Sequence, residues 1–522
     1  MSETVPTLLE ELLRLDATEN PAELLQWVCS KPLDLNGLLA GIHHLLAKFR
    51  LRSAFVLGML LAKNGYQHTT ISLALSLGGL FYGKPEEEAR GLAQLPDQLD
   101  RLSRKEQGRL YDEIVNPVVQ QMLKPGVGRS FADDELLRLI EICKAAIPPL
   151  RPLFDWNAPV PALSLETLRQ QGRARARLFN HPLPTARLRR RAVVFMKDFY
   201  IARRIFAAMQ AHEWQVALHA TPGWGITPQD CHTVLELCRQ QDAELLVLYF
   251  DQVVSPTQAQ AFHELLTQLR QEKPTLKRVV VACDAWYFRK GLVEGEPDLQ
   301  FGALFQQLIG HVDAVWTSDS PSLTTWETPL FAGKVLHAHL PHAGHMALPD
   351  RPLIPQMLYV GYQLDWYLWP RMYWLLAAQR LGLPVVQKEH LFVPQTALVP
   401  KGDEALMVYG QHLQRLREAT CCLHFTRKEN LHCIVTHRSF EAPLNGALLV
   451  QEYAPDMHRF FIPGEHYLEF NSIAEFVAVS RFITQRREEA EEIRRSGNAF
   501  ARAQYSDDKL LGYLEKFLWR DC

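Results

Sequence analysis

The sequence predicts an α/β protein: two tandem Rossmann-like, doubly wound domains preceded by an all-α domain. Three observations predict it. Apolar residues recur at helical spacing through residues 1–150. From Ala192 short apolar runs alternate with amphipathic stretches, the rhythm of a parallel sheet covered by helices. That rhythm restarts at Met357, beyond a proline-marked stretch from Pro341 to Pro355. The 522 residues suffice for about three domains, and 47% hydrophobic with 22% charged content supplies an ordinary globular core.

The first domain, 1–150, is assembled from Leu8–Leu15, Leu24–Val28, Leu38–Phe49, Ala54–Leu61, Ile71–Phe81, Glu113–Met122 and Asp134–Ile147. Asn64-Gly65 and Gly83-Lys84-Pro85 stop successive helices, and Pro148-Pro149 ends the last. Serial hairpins suggest a bundle or a helical-repeat array, without the full tetratricopeptide pattern. His43-His44 invites a metal reading, but adjacent helical residues face different ways, which favours core or surface histidines.

Residues 151–186 form a Pro/Arg-rich linker with Arg173, Arg175 and Arg177 on a basic helix, followed by Arg187, Arg189, Arg190 and Arg191. Such a cluster suits an anionic lipid or nucleic acid. A formal net charge of -2 gives no general drive toward either, and a solvated face leading into a strand is the plainer account.

The first Rossmann-like domain, 187–345, has strands at Ala192–Met196, Val216–His219, Leu245–Phe250, Arg278–Cys283, Ala314–Trp316 and Val335–His339. Helices are expected at Ile201–Gln210, Cys231–Gln241, Pro256–Leu269 and Leu304–Ile309. Ligands of open parallel sheets bind beyond the carboxyl ends of the strands, where Asp251, Asp284, Asp319 and His339 fall. Charged residues also stand there simply because solvent begins there. His337, His339, His342 and His345 make the most metal-like cluster, since alternate strand residues share a face. No well-spaced carboxylate accompanies them and Pro341 turns the chain, so an interdomain hinge touching a phosphate is preferred.

The second Rossmann-like domain, 352–522, opens with Met357–Gly361 and a glycine turn into a helix around Arg371–Leu381. Pro384–Val386 is a strand, His412–Glu418 a helix and Cys421–Phe425 a strand. Arg438 and Glu441 lie on a short helix, Gly446 turns the chain, Ala447–Val450 is a buried strand and Glu452 sits past its end. Helices at Glu475–Arg486, Arg487–Arg495 and Lys509–Leu518 close the domain. From spacing alone, Glu441 reads as a helix-start carboxylate pairing with Arg438 three residues away.

Absent motifs narrow the chemistry. There is no G-x-x-x-x-G-K-[ST] loop, no G-x-G-x-x-G after a strand, no G-x-S-x-G elbow and no Asp-x-Asp metal motif. The nine cysteines are scattered, odd in number and without a C-x-x-C pair, which argues against a disulfide framework or zinc ribbon. No signal peptide and no apolar run of about 18 residues is seen. A reduced, cytoplasmic protein is expected, with no transmembrane segment, no nucleic-acid partner and no cofactor or metal. What remains is a cleft between two Rossmann-like halves, suited to a nucleotide diphosphate held by helix N-termini and basic side chains.

Four landmarks carry a resemblance. They are Ala314–Asp319 with His339-Leu-Pro-His-Ala343, then Leu358-Tyr-Val-Gly361, then Arg438-Ser-Phe-Glu-Ala442 with Gly446–Leu449 and Glu452, and finally Phe461-Ile-Pro-Gly464 with Glu475. In this order they resemble the spore-maturation (CgeB-like) branch of GT-B glycosyltransferases over about residues 190–510, with the helical region uncovered. The resemblance implies a metal-independent, hexosyltransferase-type enzyme using a nucleotide-diphosphate sugar. It places Glu441 on the ribose hydroxyls, Arg438 by the diphosphate, Gly361 at a close backbone approach to phosphate and Glu452 beside the nucleotide; Arg371, for the leaving-group charge, and Gly446 are further donor-side candidates. Asp284, Asp319 or His339 would be the base on the acceptor side. Retaining members carry a second glutamate eight residues before Glu441, where this chain has Cys433, and Glu465-His466 replaces the acidic residue after Pro-Gly. The acceptor, whether glycan, protein or lipid-linked, stays open, and the helical domain is a candidate platform for a protein partner. The alternatives are a catalytically inactive GT-B-fold binding or assembly protein and a metal hydrolase at the histidine cluster.

Overall fold

The computed structural model describes residues 14, 22–23, 26, 35–124, 130–178, 189–198, 200–221, 226–249, 255–282, 289–290, 296–297, 308–318, 333–342, 351–361, 369–388, 402–427 and 433–519. Two parallel sheets, each with helices on both faces, follow a helical region; the fold class is the one the periodicity predicts.

The helical region comprises α1 (Leu35–Ala47), α2 (Leu51–Lys63), α3 (Thr69–Phe81), α4 (Pro85–Leu99), α5 (Arg104–Leu110), α6 (Asn116–Leu123) and α7 (Asp133–Ala146). A π-helical turn, Tyr111–Val115, joins α5 to α6. The α3 helix is apolar almost all round and is buried among its neighbours, as such a helix must be. A Ser103–Glu106 capping box starts α5 by pairing otherwise orphaned N–H groups.

In the first Rossmann-like unit, β1 (Arg191–Lys197), β2 (Gln215–Thr221), β3 (Leu245–Tyr249), β4 (Lys277–Val281), β5 (Ala314–Thr317) and β6 (Val335–His337) are ordered β2-β1-β3-β4-β5-β6, all parallel. The β3 run and the Val279–Val281 end of β4 are apolar because both faces of the sheet are covered. Val193 and Phe195 face α10 (Pro228–Gln240) and α11 (Pro256–Glu272), while Ala192, Val194 and Met196 face α9 (Tyr200–Ala211).

The second unit repeats the plan. Its strands β7 (Met357–Val360), β8 (Val385–Lys388), β9 (Cys421–His424), β10 (Leu448–Glu452) and β11 (Leu468–Phe470) are ordered β8-β7-β9-β10-β11. Both sheets therefore reverse strand order beside their first strand. In the second unit this switch point lies between the carboxyl ends of β7 and β9, where open α/β sheets bind ligands. The covering helices are α12 (Trp369–Arg380), α13 (Gly402–Ala419), α14 (Arg438–Leu444), α15 (Ile473–Gln485) and α16 (Arg487–Gln504).

Two features cross the boundaries expected from sequence. The last helix, α17 (Asp507–Leu518), places Leu510, Leu511, Leu514 and Leu518 in the core of the first unit, beside Val194 and Trp316. The helical region shares one apolar core with the second unit, through Phe154 against Tyr373 (ring centroids 3.9 Å apart) and Trp374 (4.9 Å).

The linker helix α8 (Leu165–Arg175) lies along the Pro463–Gly464 turn of the second unit. Arg169 pairs with Glu492, Arg173 with Glu465 and Arg175 with Glu469. These arginines of the basic helix are thus matched by carboxylates of the same chain. Arg189, Arg190 and Arg191 are likewise paired, with Glu213, Glu244 and Asp242.

Candidate functional site

The second unit's strand ends gather most of the residues singled out in the sequence. Gly361 follows β7 directly and is buried; a Cβ there would lie 2.4 Å from the Tyr359 hydroxyl. Only glycine leaves room for that ring against the backbone. Arg371 stands in the first turn of α12, after the β7 connection, and Arg438 opens α14, after the β9 connection. The two arginines therefore follow the two strands that flank the switch point. Each is half-buried, and each has a buried Nε without a hydrogen-bond partner among the described residues. Neither has an ion-pair partner among the described residues either. Since guanidinium groups that leave water are ordinarily matched by carboxylates, phosphates or carbonyls, these two are chemically unspent.

Glu441 does not pair with Arg438. It is 4% exposed, and its partners lie at the junction between the units. Its Oε1 accepts from the Tyr409 hydroxyl (2.9 Å) and from Arg204 Nη1 (3.4 Å), and its Oε2 lies 3.2 Å from His412 Nε2. Burial alone would push this carboxyl up. The hydrogen bond and charge of His412, with the charge of Arg204, hold it well below the ordinary carboxylate range. The site thus holds a buried carboxylate anion.

Glu452 is fully buried, and its oxygens meet four donors. Oε2 accepts from the backbone N–H groups of Thr426 and Arg427 (both 3.0 Å), and Oε1 from Arg427 Nε (2.9 Å) and Trp374 Nε1 (3.1 Å). An ionised carboxylate has about four acceptor positions, so Glu452 ties the end of β10 to the β9 connection and to α12. Gly446 has φ 76°, the left-handed conformation that ends a helix, and its carbonyl accepts from Arg494 Nη1 (2.8 Å).

His339 is 2% exposed, with its ring stacked on Phe440 (5.2 Å) and on His342 (5.5 Å) and edge-on to Tyr505 (5.3 Å). The His342 Nδ1 lies 2.9 Å from Arg204 Nη2, and burial, then the Arg204 charge, lowers its pKa so that the ring is neutral. Among the described residues no group of three His, Cys, Asp or Glu side chains is placed to hold a metal ion. Asp251, Asp284, Asp319 and His345 lie outside the described residues. Cys433 bridges to Arg427, and burial pushes its thiol up to about 11, leaving it protonated at neutral pH.

Sequence reading missed Arg204, Tyr409 and His412. A signal was present: Arg204 falls on the apolar stripe Ile201, Ile205, Ala208 of α9, and His412 on the stripe Ala405, Tyr409, Leu413, Leu416 of α13. A charge or imidazole on a core-facing stripe demands a buried partner.

Residues 402–515 match the model of a family described as glycosyl transferase-like (Glyco_trans_1_2). The matched segment holds Arg438, Glu441, Gly446 and Glu452; it gives the broad class and not the spore-maturation branch. No curated protein matches the sequence. Among solved structures, a mutant of the Thermobaculum terrenum O-GlcNAc transferase is 12% identical, with TM-score 0.37, over 93% of this chain and 97% of that one. Anabaena HepE in complex with UDP and glucose is 11% identical, with TM-score 0.40, over 62% of this chain and 97% of that one. Sucrose-phosphate synthase from Thermosynechococcus elongatus is 12% identical, with TM-score 0.39, over 64% and 100%. At these values the likeness assigns nothing further, and the fold rests on the sheet topology. Among the described residues no helix is long and apolar enough to cross a membrane.

Proposed function

We propose that the protein is a glycosyltransferase that takes its sugar from a nucleoside-diphosphate donor bound at the switch point of the second unit. One observation carries the reading: Arg371 and Arg438 flank that crevice with guanidinium nitrogens that the described residues leave unmatched. A diphosphate supplies the missing acceptors, and two guanidinium groups would stabilise the charge that develops on it as the glycosidic bond to the sugar breaks. The family match over 402–515 supports the same class. Glu441, charged and with one acceptor position of Oε2 left over, takes a ribose hydroxyl. Glu452 is the support beneath this site rather than a contact of the nucleotide.

Thermal shift with UDP-, GDP- and dTDP-sugars tests this. Ligand at about a hundredfold excess over Kd adds about 2.7 kcal/mol of stability, so one of the three should raise Tm measurably. Arg371→Ala and Arg438→Ala should each weaken that donor about tenfold or more, in line with loss of a charge-assisted hydrogen bond. A chain that no nucleotide stabilises would sink the reading.

A second reading, a donor-binding protein without turnover, is favoured by Cys433. Its protonated thiol stands where retaining relatives of the resembled family carry a glutamate. Donor binding without sugar release or transfer over prolonged incubation would select it.

A further inference from the structure

The cluster around Glu441 joins four segments of the chain. Arg204 comes from α9 of the first unit and His342 from the connection between units; Tyr409, His412 and Glu441 come from α13 and α14 of the second. Arg204 is wholly buried, and its polar contacts leave its own helix. Its Nε donates to the Pro341 carbonyl (2.6 Å), its Nη2 meets His342 Nδ1 (2.9 Å), and its Nη1 meets Glu441 Oε1 (3.4 Å). The guanidinium also lies 4.3 Å from the centroid of the Tyr409 ring.

Burying such a charge is costly, and apolar side chains of similar volume are often as stabilising. The rest of this α9 face, Ile201, Ala202, Ile205, Ala208 and Met209, is apolar. An arginine among them places one charge against one carboxylate oxygen. Arg204 and Tyr409 together occupy Oε1, which fixes the plane of the carboxylate and leaves acceptor capacity on Oε2 alone.

Building on the donor reading, we propose that Arg204 is a positioning residue for ribose recognition: the first unit reaches across the junction to orient Glu441 toward a nucleoside hydroxyl. Ribose discrimination then exists only while the two units are docked. The diphosphate contacts at Arg371 and Arg438 belong to the second unit alone and do not depend on it. The ligand feature read through Arg204 is the ribose diol, and neither base nor sugar.

Calorimetric titration of the full chain with UDP and GDP, each against its 2′,3′-dideoxy counterpart, tests this on the unmodified protein and on Arg204→Lys. The unmodified protein should prefer the ribonucleotide by about tenfold, the worth of one hydrogen bond to a charged group. Arg204→Lys should bind the dideoxy nucleotide within about twofold of the unmodified protein and reduce the ribose preference below about threefold. Tyr409→Phe removes the other donor to Oε1 without changing volume. It should show the same loss, and it carries the test if the lysine variant does not melt cooperatively. A ribose preference that survives in the variants overturns the inference, as does an equal weakening of both nucleotide forms, which marks a merely structural arginine. Binding by the unmodified protein without ribose preference overturns it too while sparing the diphosphate site. Failure of the unmodified protein to bind any of the four nucleotides, with no thermal shift from a dTDP-sugar, removes the donor reading itself.

Discussion

Glu441 is both charged and buried, and donors from two remote segments reconcile the two. Its lowered pKa contributes stability above the ordinary carboxylate range, lost as pH falls through the folded value. Glu441→Gln keeps the size, yet it turns one oxygen into an NH₂ group facing His412 or Arg204. A loss of about 3–5 kcal/mol is expected, the usual cost of breaking a buried pair and stranding the other charge, read from denaturant unfolding at pH 7. Asp507 behaves oppositely. Burial pushes its carboxyl from 3.8 up to about 6, against the pull of the His342 N–H and the Arg204 charge. The folded chain therefore holds a proton that the unfolded chain releases, and stability from this group falls as pH rises from about 4 to 6. Asp507→Asn keeps an acceptor for the His342 N–H (2.7 Å). It should flatten that slope and stabilise the protein above pH 6 by up to about 3 kcal/mol, measured as Tm against pH. The sequence singles out Glu441 as a candidate donor-side residue, but not its partners. The i,i+3 spacing points to Arg438, whereas the fold delivers Arg204 from 237 residues away.

Secondary-structure elements were the most legible scale. Strand–helix alternation needs only local apolar runs, and the two sheets follow the predicted series nearly strand for strand. The docking of α8 was not legible, because arginine spacing on a helix says nothing of where the matching carboxylates stand. That docking is tight. A Cβ on Gly172 would lie 1.8 Å from the Pro463 carbonyl oxygen, and one on Gly464 would lie 2.5 Å from the Leu168 backbone, at φ 76°. Gly464→Ala should cost roughly 1–2 kcal/mol for the left-handed backbone alone and more for the contact. The expected signature is faster proteolysis between the linker and the first unit together with a lower Tm. Gly172→Ala should produce the same cleavage pattern with an unstrained Pro463–Gly464 turn.

At the scale of the whole molecule, the helical region is part of the second unit's core. Phe154 is wholly buried, and its ring meets Tyr373 and Trp374, on the helix that also carries Arg371. Phe154→Ala should cost about 3–5 kcal/mol and should loosen the proposed donor as well, since α12 then loses its apolar seat; paired calorimetry and titration read both. The self-contained periodicity of residues 1–150 predicts a separate domain. Surfaces that meet across more than 200 residues leave no local trace in either pattern.

The return of α17 to the first unit carries a mechanical consequence. Besides the stretch that leads from α8 to β1, the polypeptide passes between the halves near Pro341 and again at Asp507, and these two passages touch through the Asp507–His342 hydrogen bond. A single tether permits bending in any direction, whereas two adjacent ones act as the paired leaves of a door hinge. Relative motion of the halves is thereby confined to a swing about the line they define, with Arg204 and Glu441 set close to the pivot. Opening the cleft by such a swing moves the far rim most and the Glu441 cluster least.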